Sequence, residues 1–492
     1  MSGLHFDMIH DPFKLGILGL LIVLVINFIK AYHERSKVTP PSDSWLIFSS
    51  KSSYPQQLKH IPTLGPDGLL TSYITVYKHF LNAADLIQEG YRKYPNGVFK
   101  IPTINGWWVV LNSTNHLNDI RKATDEQFSN AEALDEILST YYTVHPNLSK
   151  NPYHIDVIRF PLTRNIGAGF GEVHDELKAA FADKIPSTVD WVEFKAYNTM
   201  LDIIVRVANR FFVGLPLCRN PDYCDLNIKF TLNVGINSLI INIFPLYLHP
   251  IVGYIFSGRR SALKRMMKHL KPIIEARFRM REQYGNDWFD KPTFTSALFE
   301  LAAHPEYVEP LRQEIERIVA REGWTKAGMG QMKLLDSFLK ESARLNGLSS
   351  LGDTRKAVKD YTFSDGTFVP AGTWVNAAIW TISRDETYFP GGTEFRPFRF
   401  AELRDRDDGK ENTKHQFTNP EEGMSAFGVG RHACPGRFFA STEIKALLAH
   451  VLLNYDVKLP DNSKQVPPLF KFSFTIGANR DAKVLFRKRR VD

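Results

Sequence analysis

The stretch FGVGRHACPG, residues 427–436, sets one thiol, Cys434, among Phe427, Gly430, Arg431, His432 and Gly436. Glycine admits tight turns and close backbone approach to a flat ligand, because no Cβ intervenes. Pro435 suits the first position of a helix. Ile444, Leu447, Leu448, Val451 and Leu452 then continue an apolar face at helical spacing. Cys434 therefore stands at a helix N-terminus, where the dipole and free N–H groups favour thiolate over thiol. A thiolate so stabilised is a nucleophile or a soft metal ligand. Hydrolysis would need a positioned base, and His432, two residues away, is wrongly placed for that role. An isolated cysteine is ordinarily a small buried thiol. The glycines, Phe427 and the two basic neighbours point instead to a ligand.

Two charged motifs precede the loop. In KESAR, Glu341 and Arg344 share one helix face at i, i+3 and can pair. FRPFRF, residues 395–400, carries Arg399. The order ExxR, FxPxRF, FxxGxxxCxG resembles the cytochrome P450 family, whose haem-binding signature is matched by Phe427, Gly430, Cys434 and Gly436. The resemblance implies haem, iron protoporphyrin with the Cys434 thiolate as axial ligand, and O2 as co-substrate. It implies a structural network of Glu341, Arg344 and Arg399, buried charges tolerated because they pair. It also implies that Arg355, in TRKAVKDYTFSDG, reaches a haem propionate.

His432 occupies the position where the family usually carries a propionate-binding arginine. Near LTRNIG, residues 162–167, Arg159 or Arg164 serves the other side of the haem, although the family's WxxxR is not matched there. Gly167, Gly169 and Gly171 miss the GxGxxG spacing, so no nucleotide site is expected. The likeness extends through LAAHPEYVEPLRQEI, residues 301–315, and spans nearly the whole chain. It is nearest to fungal membrane-bound, terpenoid-modifying members such as ent-kaurene oxidase.

These residues must be positioned by a helix-rich body. Helical patterns dominate 262–281, with a kink expected at Pro272, 305–321 and 332–346. Strands are expected over 97–102, 107–111 and 361–375, the last with a hairpin signal at 364–366. The fold class is mainly α, or α+β, with small β-sheets, and by resemblance the cytochrome P450 fold. A hydrophobic share of 43% supplies a large core and an apolar pocket. The excess of 61 basic over 53 acidic residues suits anionic lipid or an acidic protein partner. No basic stripe carries interleaved stacking aromatics, so nucleic acid is not expected. Cys218, Cys224 and Cys434 are too few for a disulfide framework and include no CxxC.

The run LGILGLLIVLVINFI, bracketed by Lys14 and Lys30, extends over 13–32 to just span a bilayer. Lys30, Arg35 and Lys37 favour a cytoplasmic following segment. The expected organisation is a short lumenal stretch 1–12, an anchor 13–32, a linker 33–60 and a haem-thiolate catalytic domain 61–492. This places the protein in the endoplasmic reticulum membrane, its body cytosolic and the sequons at Asn112 and Asn147 unglycosylated. Residues 237–256 are nearly as apolar, but Pro245 and Pro250 break them into a buried helix pair. The sharper alternative is a lip dipping into the membrane surface, with Arg259, Arg260, Lys264 and Arg265 on headgroups.

One part of the family pattern is missing. Its long central distal helix carries an acid–alcohol pair, but here 284–306 reads YGNDWFDKPTFTSALFELAAHPE. Pro292 leaves about three turns from Thr293 to Ala303, well short of the roughly 20 residues needed to cross 30 Å. Thr293 and Thr295 are the nearest hydroxyls for a proton relay, with Asp287 and Asp290 as nearby acids. The resemblance implies a monooxygenase inserting one O2-derived oxygen atom into an apolar substrate, a terpenoid of fungal secondary metabolism. Electrons come from NADPH through a separate flavoprotein reductase. The rival is a haem-binding pseudoenzyme or an incomplete gene model.

Overall fold

The runs VFKIPT and GWWVVL form β1 (Val98–Thr103) and β2 (Gly106–Leu111), paired antiparallel from Val98 opposite Leu111 to Thr103 opposite Gly106. The structure is a computed structural model that describes residues 58–490 apart from 69–70, 104–105, 149–150, 245, 280–291 and 407–412. The expected anchor 13–32 and linker 33–60 lie almost wholly outside the described residues. Among the described residues no helix is long and apolar enough to cross a membrane.

β3 (Phe128–Ser129), β5 (Gly352–Ala357) and β8 (Trp374–Ala377) complete a five-stranded sheet ordered β1, β2, β8, β5, β3. β2 and β8 run parallel, with the Trp108 and Trp374 rings stacked at 5.5 Å. A register shift interrupts β5 between Gly352 and Arg355, displacing the very segment that carries Asp353. β4 (Val192–Lys195), β9 (Tyr455–Lys458) and β12 (Lys483–Lys488) form a second sheet. The strand expected over 361–375 is instead a short hairpin, β6 (Tyr361–Thr362) against β7 (Phe368–Val369), followed separately by β8. Asp365, in the turn, accepts from Thr367 N and bends the chain before a longer ladder can form.

Helices supply the larger core. α1 (Ser72–Lys93) lies against β1, and α2 (Thr114–Lys122) is capped by Ser113, whose side chain accepts from His116 N. α3 (Thr163–Lys184) and α4 (Ala196–Phe212) form the most extensive helix pair. Gly169 allows that approach: a Cβ there would meet the Phe211 ring at 2.5 Å. The three glycines of 167–171 thus lie along a helix, not in a phosphate loop. α5 (Pro221–Ile243) starts with proline and an Asn220 cap, and α6 (His249–Phe256) follows it. α7 (Arg259–Arg279) is assigned without interruption through Pro272.

α8 (Pro292–Ala303), α9 (Val308–Glu322), α10 (Lys333–Asn346) and α12 (Arg437–Asn454) enclose the main core with α3 and α4, burying Phe181, Ile203, Phe294, Leu298, Leu335 and Leu448. α12 differs from the expected one-sided helix. Its residues from Phe439 to Leu452 are buried apart from Thr442, Glu443 and Lys445 included. Lys445 is accommodated by Asp336 and the Met329 carbonyl, because an enclosed ammonium must find partners.

Residues 237–256 are not a buried helix pair. Tyr247 is 75% exposed and Ile251, Tyr254 and Ile255 are at least 60% exposed. Asn242 donates to the Glu136 and Ile137 carbonyls, and Ile241 and Val252 pack inward, while Tyr247, Ile251, Tyr254 and Ile255 face outward. Asn112 is fully buried and donates to the Tyr94 carbonyl, whereas Asn147 is exposed.

Candidate functional site

Cys434 lies three residues before α12, with Gly436 as the helix N-cap, so the helix starts at Arg437 and not at Pro435. Cys434 N donates to the Phe427 carbonyl at 2.7 Å, closing the loop. Its own carbonyl accepts from Arg437 Nη1 at 3.0 Å. The thiol is partly exposed and outside any disulfide. Gly430 has φ +66°, and a Cβ there would stand 3.0 Å from the Arg121 carbonyl. The close approach that requires glycine is therefore made to the end of α2 (114–122). This differs from the expected approach to a flat ligand.

A side chain distant in sequence holds the other end of the loop. Asp353 accepts from Ser425 Oγ at 3.0 Å and Val429 N at 3.2 Å. Its φ of +49° is left-handed, a conformation unfavourable for a residue with a Cβ but maintained by these two bonds. Phe427 packs on the main core, its ring 5.0 Å from that of Phe417.

The charged groups divide into two sets. Glu341, Arg344 and α11 (Arg399–Arg406) form the first. Glu341 Oε1 and Oε2 accept from Arg344 Nη2 and Nε at 2.8 Å each, and Arg399 Nε lies 3.3 Å from Oε1. All three residues are buried. The remaining guanidinium hydrogens go to carbonyls of Ser383, Gly392, Glu394, Pro390 and Gly391. The network thereby ties α10 to the loop leading into α11.

The second set surrounds the loop. Arg355 is 4% exposed, yet its side chain donates only to the Thr354 carbonyl, and no ion pair involves it among the described residues. Burial lowers its pKa, opposed by Asp353 and Asp125. His432 Nε2 lies 2.6 Å from Asp125 Oδ1. Burial and then the Arg355 guanidinium push the imidazole below its ordinary value, against the pull of Asp125. Arg159 Nη2 donates to the Arg431 carbonyl at 3.2 Å, which brings this residue, and not Arg164, to the loop.

A cavity of about 220 Å3 lies between α8, α10 and the loop, lined by Leu348, Leu351, Ala426, Phe427 and Gly428 with Ser296, Ser342 and Asn346. Thr295 is buried elsewhere on α8 and does not line it. Thr293 opens the same helix, while Asp287 and Asp290 fall outside the described residues. Among the described side chains of α8, the hydroxyl that lines the cavity is that of Ser296, which sequence reading missed.

These residues fit haem by donor type. Cys434 carries a thiol outside any disulfide, Arg355 is a buried cation without an ion pair among the described residues, and the cavity wall is largely apolar. Among the described residues no cluster of three His, Cys, Asp or Glu side chains could hold a bare metal ion. The cavity is smaller than the roughly 300–1,000 Å3 usual for ligand sites, and its described lining reaches the loop at 424–428 but includes neither Cys434 nor Arg355.

Comparison with known proteins places this geometry. A cytochrome P450 family model matches residues 291–482. Cytochrome P450 monooxygenase 151 of Postia placenta is 40% identical over 487 residues, covering 91% of this chain and 97% of that protein. Cytochrome P450 monooxygenase CYP512U6 of Ganoderma lucidum is 31% identical, covering 84% and 89%. The solved structure of retinoic acid bound cyanobacterial CYP120A1 aligns with a TM-score of 0.62 at 18% identity, over 84% of this chain and 96% of that one. The last likeness concerns the fold.

Proposed function

The chain belongs to the cytochrome P450 family, a haem-dependent monooxygenase with a cysteine-thiolate ligand and O2 as co-substrate, and from that membership we propose that Cys434 is the ligand. One observation carries the assignment: Cys434 is the sole cysteine within the matched segment 291–482. Bound there, haem supplies oxygen activation and the insertion of one oxygen atom into the substrate. The Phe427 carbonyl holds the Cys434 backbone, and the Asp353 carboxylate holds the loop before it at Ser425 and Val429. Arg355 neutralises a propionate, and His432 adds a hydrogen bond beside it. Glu341, Arg344 and Arg399 keep α10 in place beneath the site.

Family members draw electrons from a redox-partner reductase and oxidise apolar substrates. For this chain the partner is an NADPH-dependent flavoprotein reductase, whose acidic surface complements the basic excess. The substrate is a terpenoid, a reading supported by the sequence likeness around 162–167 and the apolar wall. The body sits on the cytosolic face of the endoplasmic reticulum, held by the anchor 13–32 and by the outward residues of α6. Arg259 and Arg260 follow that apolar arm. Arg265 is already committed to Asp222 and Asp225.

The test is the difference spectrum of the reduced, CO-treated protein in microsomes. A thiolate-type Soret band in the wild type that disappears in Cys434→Ala is expected. Retention of the band in the variant would remove Cys434 from the role. Oxygenated product that depends on NADPH and reductase separates turnover from mere haem storage.

A further inference from the structure

The arc 425–429, which leads into the Cys434 turn, is soft by sequence and bordered by empty space. Gly428 and, just beyond it, Gly430 take left-handed φ values of +73° and +66°, a region in which glycine moves most freely. Residues 424–428 line the cavity, which leaves that side of the arc without packed neighbours. Yet this arc fixes the cysteine, because the Phe427 carbonyl at its middle accepts from Cys434 N at 2.7 Å. For that carbonyl to keep its direction, the two ends of the arc must be held.

Asp353 holds them. Its Oδ2 accepts from Ser425 Oγ at 3.0 Å and its Oδ1 from Val429 N at 3.2 Å, one bond at each end. The carboxylate reaches the arc from an irregular part of β5, whose register against β8 shifts between Gly352 and Arg355. A bulge of this kind re-aims a side chain. The backbone of Asp353 is left-handed, at φ +49°, and such a conformation persists in a residue with a Cβ only where its surroundings over-determine it. Glycine would satisfy the strand alone, so the aspartate is explained by what its carboxylate holds.

We propose that Asp353 is a positioning residue for the Cys434 thiolate: by clamping both ends of the arc it fixes the Phe427 carbonyl and, through it, the backbone from which the thiolate projects. This rests on the reading of Cys434 as the haem ligand. No proton or electron moves in the step, since the carboxylate acts only as a pair of acceptors. Two other side chains hold the loop further on, Asp125 at His432 and Arg159 at the Arg431 carbonyl. Both act on the turn 430–432 and leave the Phe427 carbonyl to Asp353.

The experiment uses the full-length, haem-loaded protein and follows, under mild warming, conversion of the thiolate-type Soret band of the reduced, CO-treated state to the thiol-type band. Asp353→Gly removes both bonds and suits the left-handed backbone, so the replacement does not strain the strand. It should speed conversion about 30-fold, the combined worth of two ordinary hydrogen bonds. Ser425→Ala breaks the bond at one end without touching β5 and should speed it about fivefold. Asp353→Asn keeps an acceptor for Val429 N, offers its amide to Ser425 Oγ and tolerates the left-handed backbone, so its rate should stay within about threefold of wild type. Hydrogen exchange on the same samples gives a readout that a merely structural role would not move. The Cys434 amide, which bonds to Phe427 and not to Asp353, should lose protection in Asp353→Gly while the amides of α10 and β8 keep theirs. The proposal is overturned if Asp353→Gly or Ser425→Ala converts at the wild-type rate, or if Asp353→Asn converts as fast as Asp353→Gly. It is overturned equally if the Cys434 amide of Asp353→Gly keeps its protection, or if α10 and β8 lose theirs alongside it. Failure of the underlying reading shows differently, as a wild-type protein with no thiolate-type band to convert or one whose band survives Cys434→Ala.

Discussion

Replacing Glu341 by glutamine tests whether the buried network holds α10 by charge or merely by shape. Four donors converge on that carboxylate: Arg344 Nε on Oε2, and Arg344 Nη2, Arg396 N and Arg399 Nε on Oε1. Glutamine has one acceptor oxygen, so its NH2 must face a donor of Arg344. The other partners of Arg344 and Arg399 are neutral carbonyls, leaving two buried guanidinium groups without a counter-charge. Breaking a buried pair from one side costs about 3–5 kcal/mol. That is a large part of the roughly 5–15 kcal/mol by which domains are stable. The control is Glu126→Gln, which breaks the exposed Lys359–Glu126 pair at 3.2 Å and should cost under about 1 kcal/mol. Thermal and urea unfolding of both variants, with and without haem, measures the gap. A Glu341→Gln protein within about 1 kcal/mol of the control would refute the charge argument, because loss of pairing on this scale cannot be absorbed at a fully enclosed site.

Three further outcomes are expected. His79, His174 and His450 have pKa values lowered from 6.5 to about 4, by burial first in each case. Between those pH values the unfolded chain binds more protons, so stability falls as pH drops from about 6.5 toward 4. The enclosed His450 contributes about 3 kcal/mol of that loss, and His450→Gln should flatten the pH dependence of urea midpoints by that amount. Arg355→Leu should stabilise the haem-free protein, since it removes an unpaired buried cation, while weakening haem retention about 10- to 100-fold in transfer to apomyoglobin. Tyr254→Ser with Ile255→Ser should abolish the protection from hydrogen exchange that anionic vesicles confer on 249–256, and equal protection in the variant would argue against membrane contact there.

Local chemistry was legible and long-range pairing was not. The ExxR spacing fixes Glu341 and Arg344 on one helix turn, so a single helix assignment brings them together. Nothing local to His432 announces Asp125, which is 307 residues away, and the partner of this half-buried imidazole is set by how the chain after α2 meets the loop. The same reason displaced the explanation of Gly430, whose constraint is the Arg121 backbone. The arm 237–256 was misjudged because proline punctuation locates a break but not the side to which the resulting helices turn. Burial of α12 on nearly all sides escaped the periodicity argument because Glu443 and Lys445 read as a solvated face, whereas partners from α10 and its neighbours enclose Lys445.

The shortness of α8 bears on chemistry more than on stability. Its 12 residues span about 18 Å, and its hydrophobic residues are enclosed by α4, α10 and α12, so the half that packs is intact. What a longer helix would add is polar groups over the cavity, and Thr295 does not replace them because it lies buried away from that space. Among the described residues, Ser296 meets the space directly and Glu300 stands one hydrogen bond behind it through Asn346.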